Sequence, residues 1–259
     1  MRGGGPAILV AALTLAATPA TAADRLVSSL SSHIVKITPS FTGTELVLFG
    51  IVDRDAEAPP RRGGFDIVAT VKGPPETLVV RRKERVVGIW VNTESRTFVQ
   101  VPSYLATLSS RPIEAIVSLD VARRLQLGLR RTLLPQQIGP DTADVVRDDP
   151  FRSAFLRLKD ARKLYVEEKD AVTFQTPILY SATIPVPAGA PTGTYNVDLK
   201  LFADGALVAS STEAFDVIKF GFEQFVAQSA VDHGLLYGLA TAAMALMTGW
   251  LASVMFRRD

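Results

Sequence analysis

The sequence predicts a mainly β protein with two or so helices, an α+β fold. Immunoglobulin-like β-sandwich lobes are expected outside a membrane, with one C-terminal helix spanning it. Three observations predict this class. Short runs rich in Val, Ile, Phe and Thr alternate with turns that contain Gly and Pro. An apolar segment lies near the amino terminus, and residues 234–256 carry no formal charge. A helix of that length, about 34 Å at about 1.5 Å per residue, crosses a hydrocarbon core of roughly 30 Å.

Composition excludes several functional classes. The 259 residues include no cysteine, which excludes disulfides, thiolate metal sites and a cysteine nucleophile. The two histidines are too few for a multi-histidine metal site. A net charge of +2 gives no broad positive field, so we expect no nucleic-acid partner. The sequence has no G-x-S-x-G, H-E-x-x-H, P-loop or dinucleotide fingerprint, and we therefore expect neither a cofactor nor an enzyme.

Residues 1–22 are predicted to be a signal peptide. An apolar core precedes Pro19, and Ala20-Thr21-Ala22 offers small residues at the −3 and −1 positions of a cleavage site. An uncleaved amino-terminal anchor is the alternative. Export places the following domain in the periplasm, and the terminal Arg257-Arg258 then stays in the cytoplasm, as the positive-inside rule requires. The predicted location is the bacterial inner membrane, with a single span.

Residues 23–116 are predicted to form a β-sandwich lobe, apart from a short helical turn over residues 104–109. Within this lobe, the basic run 81–85 lies between two strand-like runs, which predicts a hairpin tip. The run is either a solvated hairpin that keeps a sheet edge soluble, an anion site, or a contact with lipid head groups. Trp90 is expected in the core. The candidate anion ligands are Arg81, Arg82, Arg85 and Arg111.

Residues 117–170 are predicted to be a helical connection. Ser118 is expected to cap a helix that runs to about Leu129, and residues 135–149 are expected to form a loop. Asp149-Pro150 then starts a second helix, with Asp as the N-cap and Pro in the first turn. Residues 171–220 contain further strand-like runs, which form a second β lobe or complete the first sandwich. A juxtamembrane linker covers residues 221–233.

The predicted transmembrane helix, residues 234–256, has one face of small side chains, and residues 257–259 form the tail. Small residues let two membrane helices approach closely. We therefore expect the lipid bilayer as one partner, and another membrane protein or a second copy of this chain as another. A bias of composition toward Ala and Gly is the alternative explanation. The face consists of Gly234, Gly238, Ala242, Ala245, Gly249 and Ala252.

Several segments together resemble the putative transmembrane proteins of alphaproteobacteria. The segments are ITPSFTGTELVLFG (37–50), VVRRKERVVGIWVNTES (79–95), VPSYLATLSSRPI (101–113) and PAGAPTGTYNVDLKLFADG (187–205). The resemblance implies a signal peptide, an exported domain and a C-terminal span. It also implies an accessory role beside a sulfite-exporter-type permease, and it supplies no catalytic residues.

The leading functional hypothesis is therefore a single-span protein with a periplasmic β-rich domain, acting as an accessory or interaction subunit of a membrane protein such as a permease. The first alternative is a membrane-tethered periplasmic protein that binds a small anion through the four arginines. The second alternative is a hydrolase with an unrecognised site, which requires ionisable residues clustered in a pocket.

Overall fold

The fold is described from a computed structural model that covers residues 24–54, 63–138, 141–144, 149–221 and 230–255. The predicted signal peptide, most of the predicted linker and the predicted tail lie outside these residues. The described chain is mostly β, which confirms the predicted fold class.

Fourteen strands are present in the described ranges. They are β1 (Arg25–Leu30), β2 (Ile34–Ile37), β3 (Gly43–Asp53), β4 (Phe65–Lys72), β5 (Pro75–Val86), β6 (Ile89–Pro102), β7 (Leu105–Ser109), β8 (Pro135–Ile138), β9 (Asp141–Asp144), β10 (Tyr165–Glu168), β11 (Val172–Phe174), β12 (Leu179–Pro187), β13 (Gly193–Ala203) and β14 (Ala206–Lys219). The helices there are α1 (Ile113–Ile116), α2 (Leu119–Arg124), α3 (Pro150–Ala161) and α4 (Gly234–Met255), with a 3-10 turn at Leu129–Arg131.

The strands form three sheets. A four-stranded antiparallel sheet has the order β1-β3-β12-β11, and a six-stranded mixed sheet has the order β10-β7-β4-β13-β14-β2. A second four-stranded sheet has the order β5-β6-β8-β9. Strands before residue 116 pair directly with strands after residue 171, because β12 lies beside β3 and β13 lies beside β4. The segments 23–116 and 171–220 therefore contribute strands to the same two sheets, and the division into lobes stays a prediction.

The first two sheets share one hydrophobic core. On β13 the alternate residues Tyr195, Val197, Leu199 and Leu201 are buried, and they join one cluster with the inner face of β3. Asn196 on the opposite side of β13 is exposed, as expected where successive side chains of a strand point to opposite faces. The immunoglobulin-like character of the arrangement stays a prediction.

Four fully buried tyrosines satisfy their hydroxyls on backbone carbonyls. Tyr165 donates to Pro102 O at 2.6 Å, Tyr195 to Pro191 O at 2.7 Å and Tyr180 to Val27 O at 3.2 Å. Tyr104 donates to Pro185 O. A buried hydroxyl without a partner costs about 1–3 kcal/mol, so these bonds fix where each ring lies.

A smaller core lies between the six-stranded sheet and the two short helices. Val68 and Phe202, on the opposite face of the sheet from the main core, pack against Ile113, Ile116 and Ala122. Ser118 Oγ accepts from Val121 N at 3.4 Å, so the predicted cap is correct. The helix ends at Arg124 rather than near Leu129, because Gln126 and Gly128 have positive φ.

The region 117–170 is only partly helical. Asp149 accepts from Arg152 N at 2.9 Å and starts α3 at Pro150, as predicted. Phe155 of α3 stacks on Phe98 of β6, with the ring centroids 4.7 Å apart. The predictions of a loop over residues 135–149 and a helical turn over 104–109 were wrong. The first range contains β8 and β9, and the second contains β7, which is buried on both faces and therefore lacks polar alternation.

Candidate functional site

The helix α4 has the dimensions and surface of a membrane span. Its 22 residues extend about 33 Å. Every residue from 231 to 255 is exposed, although most of these side chains are apolar. The hydroxyls of Thr241 and Thr248 donate to backbone carbonyls of the preceding turn, Tyr237 O at 3.0 Å and Met244 O at 2.8 Å. The helix thus needs no water for these polar groups, as a hydrocarbon environment requires.

The small-residue face of α4 is open in the single chain. A Cβ added at Gly234, Gly238 or Gly249 would meet nothing within 4 Å. At 100° per residue, the six predicted positions fall within about 80° of the helix circumference. Close packing of a second helix on this face stays a prediction.

The basic run 81–85 lies in β5, near the end of a long hairpin formed by β5 and β6. The turn itself is Val87-Gly88, so the run flanks the tip rather than forming it. Arg82 pairs with Glu84 at 2.9 Å between Nη2 and Oε1. Arg85 donates from Nε to Gly88 O at 3.3 Å.

Trp90 lies on the same hairpin and is 70% exposed, so its predicted place in the core was wrong. Its strand has the hydrophobic content of a core strand, which is why the sequence pattern was misleading. The hairpin extends beyond the body of the protein at this point, and the strand has no second sheet to pack against. The apolar residues near Trp90 are exposed for the same reason.

Arg111 lies elsewhere. Its guanidinium makes a two-pronged contact with Asp66, with Nε 2.8 Å from Oδ1, and Ser110 Oγ also donates to this carboxylate at 2.9 Å. The bonds to Asp66 raise the pKa of Arg111 above its ordinary value. Asp66 is at the start of β4, whereas the base of the hairpin follows the end of β4 at Lys72. Arg111 and the hairpin are therefore separated by the length of β4, roughly 23 Å, and the four predicted arginines do not form one site.

A cavity of about 860 Å³ collects arginines that the sequence analysis missed. Arg130, Arg131, Arg152 and Arg157 line it together with Glu114, Asp160 and Glu167. Arg152 is buried and donates from Nη2 to Thr132 O at 2.6 Å. The hydrogen bond from Arg131 to Glu114, 2.7 Å long, lowers the pKa of this carboxyl. These residues come from separate elements without a shared motif, so no sequence pattern indicates the cluster. In the described ranges, no group of three or more His, Asp or Glu side chains could hold a metal ion.

Comparison with protein families decides what kind of protein this is. The profile of the family described as "Putative transmembrane protein (Alph_Pro_TM)" matches residues 25–258. The chain belongs to this family. The match includes both the β-rich region and α4, which is the one helix in the described part of the chain that is long and apolar enough to cross a membrane. Membership and geometry together make it a membrane protein with a candidate C-terminal span.

Other comparisons add little to the family assignment. A search of curated proteins finds no match. Among solved structures, the chain is similar to the N-terminal domain of the Streptococcus gordonii adhesin Sgo0707, at 9% sequence identity and a TM-score of 0.28. The alignment covers 75% of this chain and 32% of that one, so the chain spans about a third of that structure. A likeness this weak supports no conclusion about fold or function.

Proposed function

We propose that this family member is a non-enzymatic, single-span inner-membrane protein that acts as an accessory or interaction subunit. Its anchor helix packs through the small-residue face against a helix of another membrane protein, such as a permease, or of a second copy. The β-rich domain lies in the periplasm and the tail in the cytoplasm. The predicted signal peptide and the terminal Arg257-Arg258 support this orientation.

The small-residue face of α4 is the observation that carries the proposal. Lipid tails are as apolar as Leu side chains, so the hydrophobic effect does not drive helix association inside a bilayer. Close packing between backbones does, and it requires Gly or Ala where the helices cross. A helix that only tethers a domain needs no such face, because Leu or Val serves at every position. The opposite side of α4 carries the bulky Leu236, Leu239, Met247 and Trp250.

Matched substitutions on the two sides of α4 test the proposal. Ala242→Leu with Ala245→Leu fills the small-residue face, whereas Ala240→Leu with Ala243→Leu adds the same groups on the other side. Crosslinking in native membranes, with identification of the captured protein, measures association. We expect the first pair to weaken it about fivefold, which corresponds to about 1 kcal/mol, and the second pair to leave it unchanged.

The outcomes discriminate between partners. Capture of a different membrane protein supports the accessory role, and capture of only a second copy replaces it with self-association. Equal effects of both Leu pairs, or no effect of either, would exclude packing through this face.

A second candidate, binding of a small anion, rests on the arginine cavity rather than on the arginines predicted from sequence. Within the described part of the chain, no carboxylate is in ion-pair distance of Arg130 or Arg157, although both line the cavity. Guanidinium groups suit planar or tetrahedral oxyanions.

Calorimetry with sulfate and sulfite tests the site. The site is supported if the heat of binding disappears in the double variant Arg130→Gln with Arg157→Gln but persists in the control Arg81→Gln with Arg82→Gln. The absence of any heat of binding with the unaltered chain would exclude the site.

A further inference from the structure

The outer half of the β5–β6 hairpin projects from the protein. Val80 and Phe98 are buried and mark where the hairpin leaves the body. Beyond them, every residue from 81 to 96 is exposed except Glu84, which is partly exposed. Both faces of this ribbon are therefore in contact with solvent. From Arg81 to Val86 it extends about 17 Å.

The turn at the end of the hairpin has an unusual residue. Val86 pairs with Ile89, and the two loop residues Val87 and Gly88 have φ of +50° and +87°. Positive φ at both positions is the geometry of a type I′ turn, in which Asn, Asp or Gly normally takes the first position. A β-branched residue is disfavoured there by its side chain. Because Val87 is 98% exposed, no packing within the described chain compensates for this conformation.

Val87 is part of a larger apolar tip. The tip cluster consists of Val86, Val87, Ile89, Trp90 and Val91, which are 40–98% exposed. An isolated two-stranded ribbon is marginally stable in water. Polar side chains at its end would keep it soluble without exposing apolar surface to water. An apolar tip on a projecting ribbon therefore indicates contact with a non-aqueous environment.

The charges lie directly behind this tip. Arg81, Lys83 and Arg85 alternate along β5 and so share one face, on which Arg85 is paired across the ribbon with Trp90. The residues 81–96 include five basic and two acidic side chains. One of the acidic side chains, Glu84, is neutralised by Arg82. The ribbon thus has an apolar end, a Trp beside it and a row of cations farther back.

We propose that the tip cluster inserts into the interface of a lipid bilayer that contains anionic lipids. Trp90 and its apolar neighbours enter the boundary between head groups and acyl chains, while Arg81, Lys83 and Arg85 stay at the level of the phosphates. Trp side chains favour this interface, and long basic side chains place their charges there while their stems cover apolar surface. The chain carries its own membrane anchor, so a bilayer is always nearby. The proposal does not depend on the accessory role.

The full-length chain offers a direct probe. It contains two tryptophans, Trp90 and Trp250, so Trp250→Phe leaves Trp90 as the one tryptophan that emits. This variant is reconstituted in vesicles of phosphatidylglycerol and phosphatidylcholine, with brominated acyl chains as quenchers. Both leaflets have the same composition, so the orientation of the anchor does not affect the result. We expect a blue-shifted Trp90 emission that the brominated lipid quenches, with weaker quenching in phosphatidylcholine alone.

Variants in the Trp250→Phe background separate insertion from folding. Val87→Asn suits the positive φ of the turn, so the hairpin stays folded or becomes more stable, while quenching falls toward the level in phosphatidylcholine alone. The matched control, Val79→Asn, makes the same change at an exposed position of β5 near the base of the hairpin and should leave quenching unchanged. Lys83→Gln with Arg85→Gln should lower the ratio of inserted to free hairpin roughly thirtyfold in the anionic vesicles.

Three results would overturn the proposal. The first is Trp90 emission typical of a fully hydrated indole, unquenched by brominated lipid in anionic vesicles. The second is equal quenching in the Val87→Asn variant and its parent. The third is shielding of Trp90 only when native membrane proteins are added to the vesicles, because this would assign the tip to a protein partner.

Discussion

Replacing Gly50 by alanine is expected to destabilise the core formed by the first two sheets. Gly50 lies in β3 between Leu48 and Val52, on the side of the strand that faces the core. A Cβ at this position would lie 2.7 Å from Cζ of Tyr180 and even closer to its hydroxyl and to the carbonyl oxygen of Val27. Because Tyr180 donates to that same carbonyl, the two hydrogen-bonded groups already occupy the space that a Cβ at Gly50 would need.

The size of the effect follows from these contacts. The Val27 carbonyl belongs to the paired strand β1 and cannot rotate away, so overpacking costs about 1–3 kcal/mol. Displacing Tyr180 leaves a buried hydroxyl unsatisfied, which costs a further 1–3 kcal/mol or so. We expect a loss of about 4 kcal/mol in the free energy of unfolding. For a region of about 200 residues this lowers the melting midpoint by roughly 8–16 °C.

Near-ultraviolet circular dichroism of the full-length chain in detergent measures this midpoint, because the four buried tyrosines lose their fixed surroundings when the core unfolds. Gly64→Ala is the matched control, since its Cβ would meet nothing within 4 Å, and it should shift the midpoint by less than about 2 °C. Adding Tyr180→Phe to Gly50→Ala should recover only part of the loss, because the Val27 carbonyl stays in place. A Gly50→Ala midpoint equal to that of the control would refute the reasoning.

Two further predictions concern buried polar groups. Lys159 is buried, pairs with Glu76 and donates to Ser103 O at 3.0 Å. Lys159→Met should lower the free energy of unfolding in denaturant by about 2 kcal/mol, which is less than the cost of breaking a fully buried pair because water can reach Glu76. The exposed control Lys169→Met should leave the free energy of unfolding unchanged. Equal denaturation midpoints for the two variants would contradict this prediction. Burial also raises the pKa of four tyrosines above the usual value of ten, so the unfolded chain loses these protons first as the pH rises. The free energy of unfolding should then fall above about pH 10, by up to about 1.4 kcal/mol for each tyrosine and each pH unit. A free energy of unfolding that stays constant as the pH is raised above about 10 would contradict this prediction. The four residues are Tyr104, Tyr165, Tyr180 and Tyr195.

The local features of the fold were predictable from sequence because their causes are local. The Asp149-Pro150 helix start and the Ser118 cap depend on side chains next to the backbone groups that they satisfy. The alternation on β13 depends on one face meeting a core and one meeting water. The strand β7 was missed because neighbouring strands and a core cover it on all sides, so it shows neither of these patterns.

The candidate sites were less predictable, because they depend on which elements come together. Three of the four arginines expected to bind an anion lie on the hairpin, whereas Arg111 follows β7 and contacts Asp66 at the start of β4. The arginines that do share a cavity come from the 3-10 turn and α3, and nothing in their spacing links them. The exposure of Trp90 was not predictable for the same reason. A strand rich in Val and Ile has the same hydrophobic pattern whether it packs in a core or projects from it.

The sequence by itself determined the mainly β class and the membrane anchor. Both follow from short-range properties, namely the hydrophobic period of each strand and the length of an uncharged apolar segment. Only the tertiary structure decided that strands from both ends of the chain share two sheets, and that the apolar tip of one hairpin stays exposed. Strand pairing and burial depend on contacts between residues far apart in the chain, and these contacts decide whether an apolar side chain enters a core or remains at the surface.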